Sequence, residues 1–353
     1  MNDHHRELAT ILWPDPDKQP TKVVRCRHCA TRNRVDIPTA VFDPDSCRCG
    51  SCSGKLFIGP DEPLTDIASS AYEHSLDRKY LQALKAVPGF PQATRWFVAN
   101  LPERLFHMQA LSATIRCDDT QFPELTALMD KARQRLDIPY RPALYLDESP
   151  YMNAMTLGAE NPLISVYSAL LDQMDDEELV AIMAHELGHL HADHVIYKLM
   201  ANLLLVLGRM SSNIINLLSF PIQLALLKWS RCAELTADRA GLLGCRDLGV
   251  ALNVQLKFAG GARPGILRRG KLSIGPFIQQ ARELERKEMS SWLDNSLALF
   301  ITMDRTHPFS VWRVMHLLQW VENGNYLDIM SGEYARVKRG APEGEAQAVE
   351  VEA

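Results

Sequence analysis

The segment HELGH at residues 185–189 most constrains this chain, because it fits the pattern H-E-x-x-H inside a strongly helical stretch. Residues four apart lie on one face of a helix, so His185 and His189 can present two imidazole nitrogens to one metal ion. Glu186 lies about 100° round the helix, near enough to polarise a metal-bound water. The preceding run 179–184 is apolar, which indicates a buried helix. Burying a histidine costs free energy unless its ring is hydrogen-bonded or binds a metal. The pattern predicts zinc-hydrolase chemistry, with a pair of hydrogen-bonded core histidines as the alternative.

A second helical segment further along the chain supplies a candidate third ligand. Catalytic zinc usually keeps three protein ligands and one position for water. Glu234 and Asp238 are four apart and face the same way. Glu234 is therefore predicted as the third ligand, and Asp238 as the acceptor of a ligand histidine's second N–H, which would fix the tautomer of that histidine. The alternative is an ordinary charged surface, in which both carboxylates pair with neighbouring cations such as Arg231 and Arg239.

Five of the eight cysteines fall in one short N-terminal stretch, which predicts a second metal site. Cys26 and Cys29 form one CxxC pair, and Cys49 and Cys52 form another after 19 intervening residues. This spacing is typical of a tetrahedral structural zinc site of the ribbon type. Cys47 could substitute as a ligand, but the glycines beside the second pair ease the tight turns of a zinc knuckle. The alternatives are a disulfide-paired domain and a redox CxxC.

These motifs divide the chain into five segments. We expect a flexible N-terminus over 1–21, a zinc ribbon over 22–58, a linker over 59–65, a metallopeptidase domain over 66–338 and a disordered tail over 339–353. Prolines punctuate the polar start and the linker, and the tail is rich in Gly, Pro, Ala and Glu. A ribbon this small buries too little apolar surface to fold unaided, so its metal must supply the difference.

The predicted fold class is α+β and mainly helical, with a small sheet beside the H-E-x-x-H helix and a small β zinc ribbon before it. Ribbon strands are expected at 22–24, 34–37 and 55–58, and strands of the sheet at 143–146, 154–157 and 163–167. Helices are expected over most of 65–136 and 176–340. Asp175, with Glu178 three residues later, predicts a capping box at the start of the helix that carries the two histidines.

The order of these motifs resembles that of the HtpX-like and CAAX-prenyl-protease-like gluzincin metallopeptidases. HELGH is followed about 45 residues later by an E-x-x-A-D segment that runs from Glu234 to Asp238. Residues 153–158, NAMTLG, resemble the family's N-A-x-x-x-G element, and His307-Pro308 with Arg313 resembles a late element of the same family. The resemblance covers roughly residues 66–320, and the ordered set is more specific than any single motif.

The resemblance implies a role for several residues. Glu234 would be the third zinc ligand and Glu186 the general base. Asn153 and His307 would lie beside the substrate carbonyl, where they could donate hydrogen bonds to the developing oxyanion. Without the resemblance, a turn-forming asparagine and a capping or core histidine would be favoured. In gluzincins an edge strand beside the zinc helix pairs with the extended substrate, and residues 163–167 are the candidate for that strand.

Residues 195–229, between the ligands, contain two apolar runs. Many relatives of HtpX carry transmembrane helices at this position, but a spanning helix needs about 20 predominantly apolar residues and these runs are shorter. A buried or interfacial hairpin is favoured, which could roof the active site or touch a membrane surface. His191 and His194 do not stand four residues from His185, so we expect them to end the helix rather than bind metal.

Composition narrows the function classes. The net charge is −5, so the chain lacks the broad excess of basic residues that would indicate nucleic-acid binding. The N-terminus has no basic flank followed by an apolar run, so we expect no secretory signal and a cytoplasmic location, with membrane association through 195–229 left open.

Together these features predict a zinc-dependent metalloendopeptidase that hydrolyses peptide bonds in proteins and could serve protein quality control. It would carry one catalytic and one structural zinc ion. The alternative is a zinc-ribbon interaction or quality-control scaffold whose hydrolase domain is idle. The joint presence of His185, Glu186, His189 and Glu234 argues against an idle site.

Overall fold

The structure is a computed structural model that describes residues 1–100, 103–158, 161–210, 213–286 and 309–337, with the backbone alone over 205–210 and 213–220. Helices dominate these residues, and two small sheets accompany them. The predicted α+β, mainly helical class is confirmed.

The chain begins with a packed helix. Helix α1 (Asp3–Leu12) starts at Asn2, whose side chain accepts a hydrogen bond from the His5 N–H at 2.8 Å. Leu8 and Leu12, four apart, are buried on one face of this helix. The prediction of a flexible segment over 1–21 is wrong for these residues, because an amphipathic face finds its partners in parts of the chain that lie far away in sequence.

The cysteine-rich segment forms a two-stranded antiparallel ribbon. Strands β1 (Thr21–Arg25) and β2 (Arg32–Asp36) pair, and helix α2 (Ile37–Phe42) follows. The third strand predicted at 55–58 is reduced to one isolated bridge between Arg48 and Lys55. Residues 56–58 are instead buried against the C-terminal helices, where the Ile58 N–H donates to the Met330 carbonyl at 2.7 Å.

The segment predicted as a linker is fixed to the body of the molecule. Leu64 is fully buried, and its N–H donates to the Arg135 carbonyl at 3.0 Å. The Arg246 guanidinium donates to the carbonyls of Gly59 and Glu62. Residues 59–65 therefore connect the ribbon to the body as a packed turn rather than as a free tether.

The second sheet has four strands in the order β3-β4-β6-β5. These are β3 (Ile115–Cys117), β4 (Ala143–Asp147), β5 (Ala154–Leu157) and β6 (Leu163–Tyr167). Strands β4 and β6 are parallel, and the other two pairings are antiparallel. The last three strands were predicted, whereas β3 falls in a segment that was expected to be mainly helical. Strand β6 lies between β4 and β5, so the prediction that residues 163–167 form an edge strand is wrong.

The other α-helices of the described residues are α3 (Ser75–Lys85), α4 (Phe90–Asn100), α5 (Glu103–Ala113), α6 (Pro123–Arg135), α7 (Ser168–Gln173), α8 (Asp176–His191), α9 (His194–Met210), α10 (Asn213–Cys245), α11 (Leu248–Gly260), α12 (Pro264–Leu267), α13 (Ile274–Arg286), α14 (Ser310–Glu322) and α15 (Asn325–Met330). Helix α8 carries HELGH and is almost entirely buried. Its predicted capping box is confirmed, because Asp175 and Glu178 bond to each other's backbone N–H, each at 2.9 Å.

Helices α8 and α10 approach closely through small residues. A Cβ atom added at Gly188 would lie 2.5 Å from the Ala240 Cβ, and one added at Gly244 would lie 2.2 Å from the Ala184 Cβ. Only glycine permits this separation of the two backbones. The close approach brings Glu234 on α10 within reach of the two histidines on α8.

Helices α9 and α10 occupy the segment for which membrane association was left open. Among the residues whose structure is described, no helix is both long enough and apolar enough to cross a membrane.

Candidate metal centre and active site

Three side chains from α8 and α10 converge on one point. Nε2 of His185 lies 3.4 Å from Oε2 of Glu234, and Nε2 of His189 lies 3.3 Å from Oε1 of the same carboxylate. One ligand atom from each of the three residues fits within 4.8 Å of the others. His185, His189 and Glu234 are 7%, 1% and 1% exposed. The structure thus brings together the three residues predicted as ligands, and their burial excludes a solvated surface at Glu234.

The chemistry of these donor atoms fits a divalent transition metal. Two imidazole nitrogens and one carboxylate make up a common ligand set of catalytic zinc. A carboxylate buried among imidazoles is costly unless a cation compensates its charge. The three residues therefore form a candidate metal centre.

Asp238 lies one turn beyond Glu234 and holds the far side of His185. Its Oδ1 is 3.2 Å from Nδ1 of His185 and accepts from the Gln255 amide at 3.0 Å, while Oδ2 accepts from Nε of Arg313 at 2.7 Å. An ionised carboxylate can only accept, so Nδ1 of His185 carries the proton and Nε2 faces Glu234. This is the contact that the spacing of Asp238 predicted.

Arg313 on α14 is a buried cation at the back of this centre, with 2% of its surface exposed. It bonds Asp238 through two nitrogens, and its Nη1 lies 3.6 Å from Oε2 of Glu234. Burial raises the pKa of the Asp238 carboxyl, but Arg313 and His185 outweigh burial and the pKa is lowered overall. The sequence marked Arg313 only through the resemblance, with no role attached.

The two histidines have opposite pKa shifts. Burial lowers the pKa of His185, but hydrogen bonds to Asp238 and Glu234 outweigh burial and raise it overall. Burial and the charge of Lys198 lower the pKa of His189 well below its usual value. A neutral His189 keeps a lone pair that can bind a metal.

Lys198 on α9 is an unpredicted neighbour of the ligands. Its Nζ donates to Oε1 of Glu234 at 2.7 Å and lies 3.1 Å from Nε2 of His189. Its side chain is 24% exposed, so it reaches this position from the rim of the site.

Glu186 is 2% exposed and faces strand β5. The Thr156 hydroxyl, on that strand, donates to its Oε2 at 2.7 Å. A cavity of about 30 Å³ lies beside His185, Glu186 and Ala154. Strand β5 therefore positions the predicted base, a contact that the sequence did not reveal because it joins residues 30 positions apart.

The structure describes only one of the two predicted oxyanion donors, Asn153. Asn153 is buried, directly before β5, and its carbonyl accepts from the Tyr167 N–H at 3.0 Å. Its neighbour Ala154 lines the cavity beside Glu186. His307 lies outside the described residues.

Four ribbon cysteines form a second candidate metal centre. Their sulfur atoms lie within 4.8 Å of one another, with Cys26 and Cys52 3.6 Å apart and Cys29 and Cys49 also 3.6 Å apart. Zn–S bonds of about 2.3 Å in a tetrahedron place sulfurs about 3.8 Å apart. All four are free cysteines, so the cluster fits a zinc ribbon and not the disulfide-paired alternative. Cys47 is not part of the cluster.

Backbone N–H groups stabilise one thiolate of this cluster. Hydrogen bonds from the backbone of Cys52 and Ser51 lower the pKa of Cys49 to about 6. Because thiolates rather than thiols bind metal, this turn favours the charged form that a ribbon zinc requires.

Comparisons with known proteins agree with this geometry. The model of peptidase family M48 matches residues 119–321. Plastoglobule-localized metallopeptidase 48, a chloroplastic protein of Arabidopsis thaliana, is 30% identical over 267 residues, which are 75% of this chain and 76% of that protein.

Shorter matches join this chain to proteins named protease HtpX homolog. One from Helicobacter pylori (strain Shi470) is 37% identical over 73 residues, which are 20% of this chain and 22% of that protein. One from Salinibacter ruber is 27% identical over 112 residues, which are 31% of this chain and 38% of that protein. No solved structure matches.

Proposed function

The chain belongs to peptidase family M48, and from this premise we propose that it is a zinc-dependent endopeptidase that cleaves peptide bonds within proteins. Its relatives are named as proteases and as a metallopeptidase, and the chain accordingly acts on protein or peptide substrates. The observation that carries the finer proposal is the convergence of His185, His189 and Glu234 beside Glu186.

The three converging residues would hold the catalytic zinc, the histidines through Nε2 and Glu234 through its carboxylate. Three protein ligands leave a fourth position for water. When bound, zinc lowers the pKa of water to near neutrality and polarises the scissile carbonyl. Asp238 supports the arrangement because it holds Nδ1 of His185 and so directs Nε2 toward Glu234.

Glu186 would act as the general base. Thr156 holds one oxygen of its carboxylate in place, and the adjacent cavity of about 30 Å³ has room for one water molecule. The carboxylate would take a proton from the attacking water and pass it to the leaving amine. Asn153 and His307 would donate hydrogen bonds to the oxyanion, a role that rests on the family resemblance.

The four ribbon cysteines would hold a structural zinc, which would stabilise the N-terminal ribbon. We propose a cytoplasmic enzyme that could serve protein quality control and touch a membrane surface through 195–229. Retention of the chain on membranes after a carbonate wash, with release only by detergent, would contradict a merely interfacial contact.

Glu186→Gln tests the proposed chemistry. The amide keeps the size of the side chain but cannot take a proton, so casein cleavage should fall by roughly 10²- to 10⁴-fold while zinc content stays at the wild-type level. His189→Ala should lose both cleavage and one zinc ion. Glu177→Gln, on the same helix but paired with Lys131, is the matched control and should cleave normally.

The same measurements separate the idle-scaffold alternative. A wild-type protein that holds zinc at this centre but cleaves neither casein nor a peptide library would support the scaffold. Normal cleavage by Glu186→Gln would instead show that the chemistry lies elsewhere.

A further inference from the structure

The histidine at the second ligand position is held from behind by a chain of buried side chains. Nδ1 of His189 lies 3.0 Å from Nδ1 of His194, and Nε2 of His194 lies 3.0 Å from Oδ2 of Asp77. His194 is 1% exposed and Asp77 is fully buried. His194, expected to end the H-E-x-x-H helix, instead begins helix α9 and links His189 to an aspartate on α3.

Asp77 is itself fixed by two further donors. The Trp229 indole N–H donates to its Oδ1 at 2.8 Å, and the Thr236 hydroxyl donates to its Oδ2 at 2.5 Å. The Thr236 oxygen also accepts the His74 N–H at 3.0 Å, and its own proton goes to Asp77. A carboxylate with these contacts acts only as an acceptor.

Asp77 sets the direction of each hydrogen bond in the series from Asp77 through His194 to His189. Because Asp77 accepts, Nε2 of His194 must carry a proton, and Nδ1 of a neutral His194 is then an acceptor. Nδ1 of His189 must donate to it. The lone pair of His189 is thereby left on Nε2, the nitrogen that faces Glu234.

The contacts of the other ring nitrogen of His189 indicate the same tautomer. The Lys198 ammonium has donors and no acceptor, and it lies 3.1 Å from Nε2 of His189. Oε1 of Glu234 lies slightly farther from that nitrogen, at 3.3 Å, and already accepts from the same ammonium at 2.7 Å. The contact with Lys198 therefore favours an accepting Nε2 and a proton on Nδ1, the same tautomer that Asp77 and His194 indicate and the one that can bind a metal.

We propose that Asp77 and His194 are positioning residues for the metal centre, which hold His189 in the tautomer and orientation that bind the metal through Nε2. The inference rests on the proposed function of that centre. Asp77 lies outside residues 119–321, which the family model matches. A segment that precedes the matched region, helix α3, would therefore complete the metal centre of this chain.

The two ligand histidines would then have separate supports. His185 is held by Asp238 with Arg313 behind it, from α10 and α14. His189 is held by His194 with Asp77 behind it, from α9 and α3. Loss of a partner behind a ligand histidine typically weakens metal binding 10- to 100-fold.

His194→Phe in the full chain tests the inference. The phenyl ring keeps most of the volume but cannot accept the His189 N–H, so the affinity for Zn²⁺ at the H-E-x-x-H centre should fall by roughly 10- to 100-fold in a chelator competition. Co²⁺ provides the spectroscopic readout, because the d–d bands of a site without sulfur ligands differ from the thiolate bands of the ribbon. His194→Gln should recover most of the affinity, since an amide can accept from His189 and donate to Asp77.

His191→Phe is the matched control. It changes the last residue of α8, a nearby histidine whose ring bonds the Tyr72 hydroxyl at 2.8 Å. Its Zn²⁺ affinity and Co²⁺ spectrum should match those of the wild type. Asp77→Asn gives a second variant, which should weaken Zn²⁺ binding because an amide places a donor against Trp229 or Thr236.

Wild-type Zn²⁺ affinity and an unchanged Co²⁺ spectrum in folded His194→Phe or Asp77→Asn protein would overturn the inference while leaving the proposed function intact. If His194→Phe does not fold, the Asp77→Asn measurement decides. A wild-type protein that binds neither ion at this centre, or binds them equally well after His189→Ala, would overturn the proposed function and this inference with it.

Discussion

At the scale of single residues, Lys198 is the side chain whose contacts most directly oppose metal binding. Its ammonium bonds both Glu234 and His189, the residues that would hold the cation. A divalent ion must displace these bonds and then remain near a like charge. We expect Lys198→Met to raise the affinity for Zn²⁺ by about tenfold, which corresponds to about 1.4 kcal/mol.

Competition with a chromophoric chelator measures this change, and the exposed Lys79→Met is the matched control. An affinity lower than that of the wild type would show that Lys198 supports the metal centre rather than competing for its ligands.

Some residues of the metal centre could be predicted from their helical spacing, and others could not. His185, His189, Glu234 and Asp238 recur four apart on two helices, so spacing alone placed them on shared faces. Thr156, His194 and Asp77 meet the site through contacts between different elements. No period links these positions, and a lone threonine or aspartate is chemically unremarkable in a sequence. Their contribution could be read only from the packing.

At the scale of secondary-structure elements, the separation of α8 and α10 sets the distance between the ligands. An added Cβ at Gly188 would meet the Ala240 Cβ at 2.5 Å, and neither atom can rotate away because each is bonded directly to a helix backbone. Gly188→Ala should therefore destabilise the fold by about 1–3 kcal/mol despite the better helix propensity of alanine, and should weaken Zn²⁺ binding.

Chemical denaturation and zinc titration on the same protein check both effects. Gly270→Ala is the control, since an added Cβ there meets nothing within 4 Å, and its stability should change by less than about 0.5 kcal/mol. Equal stability of Gly188→Ala and the wild type would mean that the helices can separate without cost.

The positions of the strands could be predicted from the sequence, but their order in the sheet could not. Strands β4, β5 and β6 were predicted close to their observed bounds because each is a short apolar run with clear ends. Their order in the sheet depends on a parallel pairing between β4 and β6, which passes over β5. Alternation along a strand does not encode that choice, and β5 rather than β6 supplies the contact to Glu186.

A buried histidine at the start of α3, His74, contacts a half-buried histidine on α14, His316, and we expect this pair to make the fold sensitive to acid. The rings of His74 and His316 meet edge to face, 4.9 Å apart. Burial, and then the nearby Arg239, lower the pKa of His316 to about 4 and that of His74 to about 2. The usual value is about 6.5, so between pH 6.5 and 4 the unfolded chain binds more protons than the folded chain.

The free energy of unfolding should therefore fall as the pH falls through this window, by on the order of 2 kcal/mol per histidine at pH 5. His316→Gln, which does not titrate, should show a shallower loss of melting temperature between pH 7 and pH 5. Parallel curves for the two proteins would show that His316 does not contribute to the pH dependence.

At the scale of the whole molecule, the ribbon and the helical body share one core. Val24 and Leu56 of the ribbon belong to the same buried cluster as Leu187 and Trp320 of the body. The sequence divided these parts because prolines and polar residues separate them along the chain. The contacts that join them link residues far apart in sequence. The ion pair between Lys22 and Asp328, at 2.8 Å, spans more than 300 positions, and no local sequence pattern predicts it.

The shared core determines what loss of the ribbon metal should do. We expect two zinc ions per wild-type chain and one in the double variant Cys26→Ser, Cys29→Ser. Because the ribbon packs into the body, the melting of the whole chain should shift, with a loss of at least about 3 kcal/mol. Metal analysis and calorimetry check this. Cys47→Ser, which removes a thiol of the same segment outside the cluster, should keep both ions. A single zinc ion in the fully loaded wild type would contradict a zinc ribbon, and loss of an ion from Cys47→Ser would reassign its ligands.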